Sequence, residues 1–303
     1  MRLLFLILLS GFLVGFGYAF DPATQDDSQA LVRHFKKPAK PLPPFADGKF
    51  EPMQGETITL MGGTDMYRMP RGKDLEALLY LAFPDKNLVI RSIGWPADTV
   101  YRQQRPMFFY MEKGDTKEGS VPDQREKIEP GVFILQFGRM ESLQGLSVLP
   151  RFAEVFEKLL GELKKISPRI LILSPRKFTN NGPAGEFAEE RNETLKLYAK
   201  EMETIASRNG FLYRDSLADF FDDKGVEVPV SFLEKVAQKR SLWTQYYRPT
   251  NWAFLFGDRQ HVPSSRDHRD ANQRWFVEEL KKLPPLIDQA DQAIWEEAKK
   301  VVK

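Results

Sequence analysis

Short apolar runs alternate with helical patterns along residues 55–283. Five runs are typical of β-strands: TITLMGG (57–63), NLVIRSIG (87–94), GVFILQFGR (131–139), RILILSPR (169–176) and GFLYRDSL (210–217). Four segments place apolar residues at helical spacing: KDLEALLYLAF (73–83), RFAEVFEKLLGELKKI (151–166), AEERNETLKLYAKEMETIASR (188–208) and RDHRDANQRWFVEELKKL (266–283). Strands that are apolar on both faces and separated by helices indicate a parallel sheet covered on each side. The pattern therefore predicts an α/β domain.

The residues that follow the predicted strands are the expected place for a functional site. In open parallel sheets, ligands bind at the carboxyl ends of the strands. The segments at those ends are 62–65, 94–98, 138–141 and 174–177, and three of the four contain glycine.

The chain begins with a segment that resembles a secretory signal peptide. Arg2 precedes an apolar stretch, and Gly17 and Ala19 stand at the small-residue positions of a cleavage site. We expect residues 1–19 to be removed, which would leave no stable membrane span and an exported protein, periplasmic or extracellular. The alternative is an uncleaved anchor, and the protein would then stay associated with the membrane. A spanning helix needs about 20 apolar residues, somewhat more than this stretch supplies.

Three further segments depart from the α/β alternation. Residues 20–54 form a polar, proline-dotted leader, whose composition cannot bury much surface. Residues 219–256 are interpreted as an aromatic-rich insertion in the 55–283 domain, which either lines a pocket or packs under a loop. Residues 284–303 are predicted to form a last helix, begun after Pro284 and Pro285.

Charge and cysteine content exclude some classes of function. Lys and Arg number 44 against 42 Asp and Glu, and the two signs are interspersed, so nothing favours nucleic acid as a partner. The chain has no cysteine, which excludes disulfides and thiolate metal sites. There is also no G-x-S-x-G, H-E-x-x-H or G-x-G-x-x-G motif.

Histidine is scarce, which narrows the choice of a general base. Of the three histidines, His261 has the best setting, because Asp258 precedes it by three residues on an expected loop. A carboxylate at that spacing can orient one imidazole nitrogen while the other accepts a proton from a hydroxyl. A short D-x-x-H motif also occurs by chance on surface loops. His268 is interpreted as a surface residue at the start of the last domain helix.

Four blocks, taken in order along the chain, resemble the SGNH, or GDSL-type, hydrolase superfamily. These are a hydroxyl after strand one (GGT, 62–64), a glycine after strand two (Gly94 in GWPADT), G-x-x-E after strand three (138–141) and D-x-x-H (258–261). GGT, GWxxDT and FGRxES look most like an exported bacterial subgroup with threonine in the first block. The resemblance covers roughly residues 55–283 and implies a three-layer α/β/α, flavodoxin-like fold with a parallel sheet.

The resemblance also implies roles for particular residues. Thr64 would be the nucleophile, His261 the base and Asp258 its orienter, and the N–H groups of Thr64 and Gly94 would form the oxyanion hole. No cofactor or metal is required. The candidates for contact with the substrate are Asp65, Arg68, Asp98, Arg139, Met140 and Glu141, with Arg102 of the same rank, and each charged member is equally well interpreted as a solvated loop charge.

Two positions depart from the pattern of the superfamily. Thr64 keeps a hydroxyl, but its methyl group restricts χ1 and crowds the approach to an acyl carbon. Met140 stands where the superfamily has an asparagine, and a thioether cannot donate a hydrogen bond to an oxyanion. Loss of one such donor typically costs about 2.7 to 4 kcal/mol of transition-state stabilisation.

Three functions therefore fit the sequence. The leading hypothesis is an exported carboxylic-ester hydrolase that acts on a small-molecule or carbohydrate ester, with an O-acyl group on a carbohydrate as the substrate implied by the resemblance. The second is a non-catalytic protein that binds a ligand in the same cleft. The third is a role in exporting or assembling a surface polymer, with residues 20–54 holding the domain near a membrane.

Overall fold

The structure, a computed structural model, describes most of the residues 55–283 in which the strand and helix pattern lies. The signal segment and most of the leader lie outside the described residues, as do Arg102 and Asp258. The residues that the structure describes are 42–45, 48–68, 74–101, 128, 130–181, 185–215, 228–250, 254, 259 and 261–302.

All five predicted strands are present, and they pair in parallel in one sheet of order β2-β1-β3-β4-β5. In the register of the central strands, Ile58 lies opposite Ile90 on one side and Val132 on the other. The strands are β1 (Thr57–Gly62), β2 (Val89–Ser92), β3 (Val132–Gln136), β4 (Ile170–Leu173) and β5 (Leu212–Arg214). This order confirms the predicted flavodoxin-like fold.

Helices follow the strands and cover both faces of the sheet. In the described part of the chain, the α-helices are α1 (Thr64–Tyr67), α2 (Leu75–Ala82), α3 (Arg139–Ser142), α4 (Leu149–Ile166), α5 (Ala188–Asn209), α6 (Val230–Tyr247) and α7 (Trp275–Val301). Short 3-10 turns occupy Pro84–Lys86, Leu146–Val148, Gly185–Phe187 and Pro263–Ser265. Within these described residues, every helix is too short or too polar to cross a membrane.

Two hydrophobic clusters, one on each face, give the fold its three layers. Phe133 and Leu135 of β3 belong to the cluster that contains residues of α4 and α5. Ile134, between them, belongs to the cluster built with α2, α6 and α7. Successive strand residues point to opposite faces, so a fully apolar strand supplies both clusters at once.

The C-terminal helix differs from the prediction. It runs unbroken from residue 275 to 301 and contains Pro284 and Pro285, so the expectation of a new helix after the prolines is wrong. Residues on both sides of the prolines are buried, including Leu280 and Ile287. This burial against the domain keeps both halves in one helix, although proline removes a backbone hydrogen bond.

Two other segments pack more closely than their composition suggests. In the leader, Phe50 is buried and its ring centroid lies 5.1 Å from that of Phe45. In the aromatic-rich segment, helix α6 buries Phe232 in one cluster and Trp243 in the other. Both segments therefore contribute to the core of the domain.

Candidate active site

Two glycines bring the end of β1 against the neighbouring loops. A Cβ added to Gly62 would collide with the backbone carbonyl of Gln136 at the end of β3. A Cβ on Gly63 would lie 2.6 Å from the backbone oxygen of Asp98. Only glycine fits such close backbone contacts. The GG pair thereby places Thr64, the next residue, where the loops after β2 and β3 meet.

The hydroxyl of Thr64 is held by the loop that follows β2. The backbone N–H of Ala97 donates a 2.8 Å hydrogen bond to Thr64 Oγ1. Ala97 has φ +57°, in the left-handed region that non-glycine residues seldom adopt. Because this bond uses a lone pair of the oxygen, the hydroxyl proton of Thr64 stays available for donation.

A cavity of about 220 Å³ opens beside this hydroxyl. Residues from the first three predicted blocks line it, which places the segments after β1, β2 and β3 around one space, as expected for a parallel sheet. The predicted site residues in its wall are Thr64, Asp65, Asp98, Arg139, Met140 and Glu141.

Sequence reasoning missed three residues that also line the cavity, namely Gln136, Phe137 and Phe178. Gln136 and Phe137 belong to the apolar run of β3 and carry no motif. Phe178 directly follows the segment 174–177. Its position just beyond the end of a strand is the sequence feature that could have predicted its place in the site. Asn192 fixes its backbone, accepting from the N–H at 2.8 Å and donating to the carbonyl at 3.0 Å.

Other predicted residues lie outside the described wall of the cavity. His261 is exposed and Arg68 caps the end of α1. Gly94 packs behind α1, since a Cβ there would lie 3.1 Å from the backbone nitrogen of Tyr67. Asp258 and Arg102 are not among the described residues. The roles of His261, Asp258 and Gly94 thus stay predictions.

The position of His268 differs from the prediction. Its side chain is 81% exposed, in agreement with a surface residue, but it precedes α7 by several residues and is not on the first turn of that helix. The neighbouring Asp267 accepts a backbone hydrogen bond from Arg269. This local turn occupies residues where a continuous helix was expected.

Arg139 and Asp65 form an ion pair in the cavity wall. Arg139 Nη1 lies 2.7 Å from Asp65 Oδ1, and the Arg139 guanidinium lies 4.7 Å from the ring centroid of Phe178. The pair is only partly exposed, with 30% of the Arg139 side chain accessible. It links α1 to α3 across the mouth of the site.

Glu141 joins two site loops through its buried carboxylate. One oxygen accepts from the N–H of Val100 and the other from the N–H of Gly138, each at 2.9 Å. Burial raises the pKa of Glu141 to about 7, and the charge of Asp98 adds to that rise, whereas the backbone hydrogen bonds oppose it. Gly138 has φ +96°, a conformation that favours glycine at this turn.

Arg248, just after α6, contacts aromatic residues of α1 and of the loop after β2. Its guanidinium lies 3.9 Å from the ring centroid of Trp95 and 4.9 Å from that of Tyr67. Such contacts between a cation and aromatic faces are favourable. The helix of the aromatic-rich segment packs in the core, whereas none of its described residues lines the cavity.

The structure shows no candidate metal centre among the described residues, where no three His, Asp or Glu side chains are grouped to hold an ion. The side chains that surround the cavity offer a hydroxyl, carboxylates and a guanidinium. These groups can bind polar ligands and transfer protons without a cofactor.

No family model matches the chain, and no curated protein sequence matches it. Similar solved structures include the acetylxylan esterase Axe2 from Geobacillus stearothermophilus, with 15% identity over 55% of this chain and 79% of that protein and a TM-score of 0.40. LAE5, an alpha/beta hydrolase enzyme from the metagenome of Lake Arreo, Spain, has 11% identity over 80% of this chain and 97% of its own, with a TM-score of 0.38. The lipase/acylhydrolase from Enterococcus faecalis has 12% identity, covers 78% of this chain and 96% of its own, and has a TM-score of 0.36.

These likenesses concern the fold, and we take no residue role from them. The sheet order of this chain, with helices on both faces and the GGT block at the carboxyl end of β1, agrees with the three-layer α/β/α fold that the sequence predicts.

Proposed function

We propose that the protein is an exported ester hydrolase of the SGNH type. The observation that carries the proposal is the hydroxyl of Thr64, which lies in the wall of a cavity at the carboxyl end of the sheet and is oriented by the N–H of Ala97. A positioned hydroxyl with its proton free for donation is what a covalent hydrolase requires. The export part of the proposal rests on the sequence of residues 1–19, which resembles a signal peptide.

In the proposed reaction, His261 removes the hydroxyl proton while Thr64 Oγ1 attacks the ester carbonyl carbon. The resulting oxyanion accepts hydrogen bonds from the N–H groups of Thr64 and Gly94. Collapse of this intermediate breaks the bond to the leaving alcohol, which takes the proton from His261. Water, deprotonated by His261, then attacks the acyl carbon; the bond to Thr64 Oγ1 breaks, Thr64 takes the proton back from His261, and the carboxylic acid leaves. Asp258 orients the imidazole in both steps.

The proposed substrate is a small-molecule or carbohydrate ester, in particular an O-acyl group on a carbohydrate. This choice rests on the resemblance to the SGNH superfamily and on the expected export. The cavity is compatible with it, because Phe137 and Met140 supply apolar surface for an acyl chain beside polar groups that suit a sugar.

A second function is favoured by the position of His261, which is exposed and outside the described wall of the cavity. A protein that kept the cleft and lost turnover would bind a ligand without chemistry. Met140 also favours a binding protein without turnover, because its side chain cannot donate a hydrogen bond to an oxyanion. The role in surface-polymer assembly depends on the leader, most of which lies outside the described residues.

Acetate release from acetylated xylo-oligosaccharides and from p-nitrophenyl acetate distinguishes the two functions. For the mature chain from residue 20, we expect turnover that His261→Ala abolishes and that His268→Ala, a matched change at an exposed histidine, leaves intact. Equal rates in the wild type and His261→Ala over a broad panel of esters would refute the hydrolase. Ligand binding that survives His261→Ala, without turnover, would establish the second function.

A further inference from the structure

Helix α6, in the aromatic-rich segment, runs along β2 toward the candidate site. Lys239 donates to the carbonyl of Ile90 at 2.9 Å, and the indole N–H of Trp243 donates to the carbonyl of Ser92 at 2.7 Å. Four helical residues rise about 6 Å and two strand residues about 7 Å, so the helix follows the strand in the same direction. Arg248, the residue after the helix, therefore reaches the loop that follows β2.

The guanidinium of Arg248 packs against two aromatic rings. Its central carbon lies 3.9 Å from the ring centroid of Trp95 and 4.9 Å from that of Tyr67. The backbone of Arg248 is fixed as well, since its N–H donates to the carbonyl of Thr244 in α6 at 2.8 Å. A planar guanidinium stacks on aromatic faces, and an ammonium group lacks that plane. Arg248 thus joins α6 to two other segments of the chain.

Tyr67 and Trp95 belong to the two segments that hold the hydroxyl of Thr64. Tyr67 is the last residue of α1, the short helix that Thr64 begins. Trp95 begins a turn, in which its carbonyl accepts from the N–H of Asp98 at 3.1 Å. This turn, residues 95–98, is called the site turn below. One guanidinium therefore contacts both α1 and the site turn.

The site turn is strained at the residue that orients the hydroxyl. Pro96 stands at its second position and Ala97, with φ +57°, at its third, as in a type II turn, where glycine is usual at the third position. Such conformations persist only when the surrounding structure holds them. Trp95 provides two such contacts, because its N–H donates to the carbonyl of Gly62 at 3.0 Å and its ring packs against Arg248.

We infer that Arg248 is a positioning residue for the reaction at Thr64. Its guanidinium holds the site turn against α1, and this contact directs the N–H of Ala97 at Thr64 Oγ1. Arg248 is not among the residues that line the described cavity, so it acts through the hydroxyl and not on the substrate. The catalytic part of the inference rests on the proposed function. The dependence of the hydrogen bond between Ala97 and Thr64 on Arg248 does not.

Hydrogen exchange of the Ala97 amide, followed by NMR, tests that dependence without any turnover. In the wild type, this amide should exchange more slowly than in an unstructured peptide. In Arg248→Met, it should exchange about tenfold faster than in the wild type, because the site turn loses the contact that holds it. The amide of Ile134, which is fully buried in β3, should keep its wild-type rate, since the change does not reach the sheet.

Hydrolysis of p-nitrophenyl acetate tests the catalytic part. Arg248→Met should lower kcat by about tenfold and leave KM within about twofold, because the direction of the hydroxyl affects the attack and not substrate binding. Arg248→Lys should recover part of kcat, since an ammonium group still interacts with an aromatic face. A role in packing alone predicts the reverse order, because the apolar methionine would then be the better substitute.

Arg208→Met is the matched control. Arg208 is an exposed arginine near the end of α5, where it pairs with Glu157 of α4. This variant removes a guanidinium from the surface and should leave the exchange of Ala97, kcat and KM at their wild-type values.

Each outcome is decisive. Unchanged exchange of Ala97 in Arg248→Met, or wild-type exchange as fast as in a peptide, would overturn the inference whatever the turnover. Faster exchange of Ala97 and Ile134 alike would also overturn it, because Arg248 would then serve overall stability. Turnover with a wild-type kcat in Arg248→Met, or with a higher kcat than in Arg248→Lys, would overturn it and keep the hydrolase. Faster exchange of Ala97 alone, in a protein that hydrolyses no ester, would keep the dependence of the hydrogen bond on Arg248 and refute the hydrolase.

Discussion

The backbone N–H of Ala97 donates a 2.8 Å hydrogen bond to the hydroxyl oxygen of Thr64. The two residues belong to different loops, one after β1 and one after β2. Ala97 adopts φ +57° to make this contact, and a left-handed conformation at a non-glycine residue costs on the order of 1 kcal/mol or more. The loop thus accepts local strain while it orients the hydroxyl.

Removal of that hydroxyl is the most direct test of the proposed chemistry. We expect Thr64→Ala to lower kcat for ester hydrolysis by more than about 1,000-fold, because the attacking oxygen is gone. Thr64→Ser should keep or raise kcat, since it loses only the methyl group that crowds the acyl carbon. Thr204→Ala, at an exposed position on α5, is the control. A Thr64→Ala protein with wild-type kcat would exclude Thr64 as nucleophile.

Met140 offers a gain-of-function experiment. Met140→Asn supplies an amide donor where the superfamily has one, so kcat should rise by about tenfold or more; such a donor is worth about 10²- to 10³-fold in an optimised site. Met140→Leu keeps an apolar side chain of similar size and should leave kcat near the wild-type value. If the two variants have the same kcat, Met140 does not lie beside the oxyanion.

The raised pKa of Glu141 makes stability depend on pH. Between its ordinary value of 4.5 and about 7, the folded protein holds a proton that the unfolded chain has released. The contribution of Glu141 to the free energy of unfolding is therefore full below pH 4.5 and declines as the pH rises to 7, by about 3 kcal/mol at 1.36 kcal/mol per pKa unit.

Urea titration of Glu141→Gln from pH 4 to 8 measures this contribution. A glutamine cannot accept from both Val100 and Gly138, so the variant should be less stable than the wild type at pH 4, where the wild type holds its proton. Its deficit relative to the wild type should be largest at pH 4 and should shrink toward pH 7. A deficit that stays constant, or one that grows with pH, would contradict the raised pKa.

A buried charge network attaches the C-terminal helix to the sheet. Arg91 Nη2 of β2 lies 2.6 Å from Asp291 Oδ2 of α7, and both side chains are almost fully buried. Tyr80 donates to Asp291 at 3.2 Å, and Lys239 pairs with Glu76 in the same network. The network joins four elements across one face of the sheet.

We expect Asp291→Asn to lower the free energy of unfolding by about 3 kcal/mol or more, because it leaves the Arg91 charge buried without its partner. Arg91→Met combined with Asp291→Leu should recover part of that loss, since no buried charge remains in the pair. Chemical denaturation measures the free energy of unfolding of the single and the double variant. Glu296→Gln, at an exposed position of the same helix, serves as control. A small effect of Asp291→Asn, below about 1 kcal/mol, would show that water reaches the pair.

The local pattern of apolar and polar residues was sufficient to predict the sheet and many residues of the site. The period and apolar content of the five strands predicted both their number and their parallel pairing, because a strand buried on two faces has few other arrangements. The ends of those strands then predicted that Thr64, Asp65, Asp98 and Glu141 are neighbours. These predictions need only the periodicity of residues that are close in the chain and the rule that sites form at the carboxyl ends of parallel strands.

Contacts between distant segments required the tertiary structure. The ion pair of Arg139 with Asp65 joins residues 74 positions apart, and the bond from Val100 to Glu141 spans 41 positions. Pro284 and Pro285 predict a helix end by local rules, yet burial on both sides keeps α7 continuous. Phe178 belongs to no motif, and Ala97 stands at one of the unspecified positions of GWxxDT.

By itself, the sequence determined which residues follow the strands and therefore which chemistry is available at the sheet edge. Only the tertiary structure decided how those loops meet: that Ala97 holds Thr64, that Glu141 joins two loops, and that His261 stays outside the described wall of the cavity. The physical reason is that strand and helix periods arise from neighbours in the chain. Side-chain partners at a site depend on packing among segments that the chain brings together only when it folds.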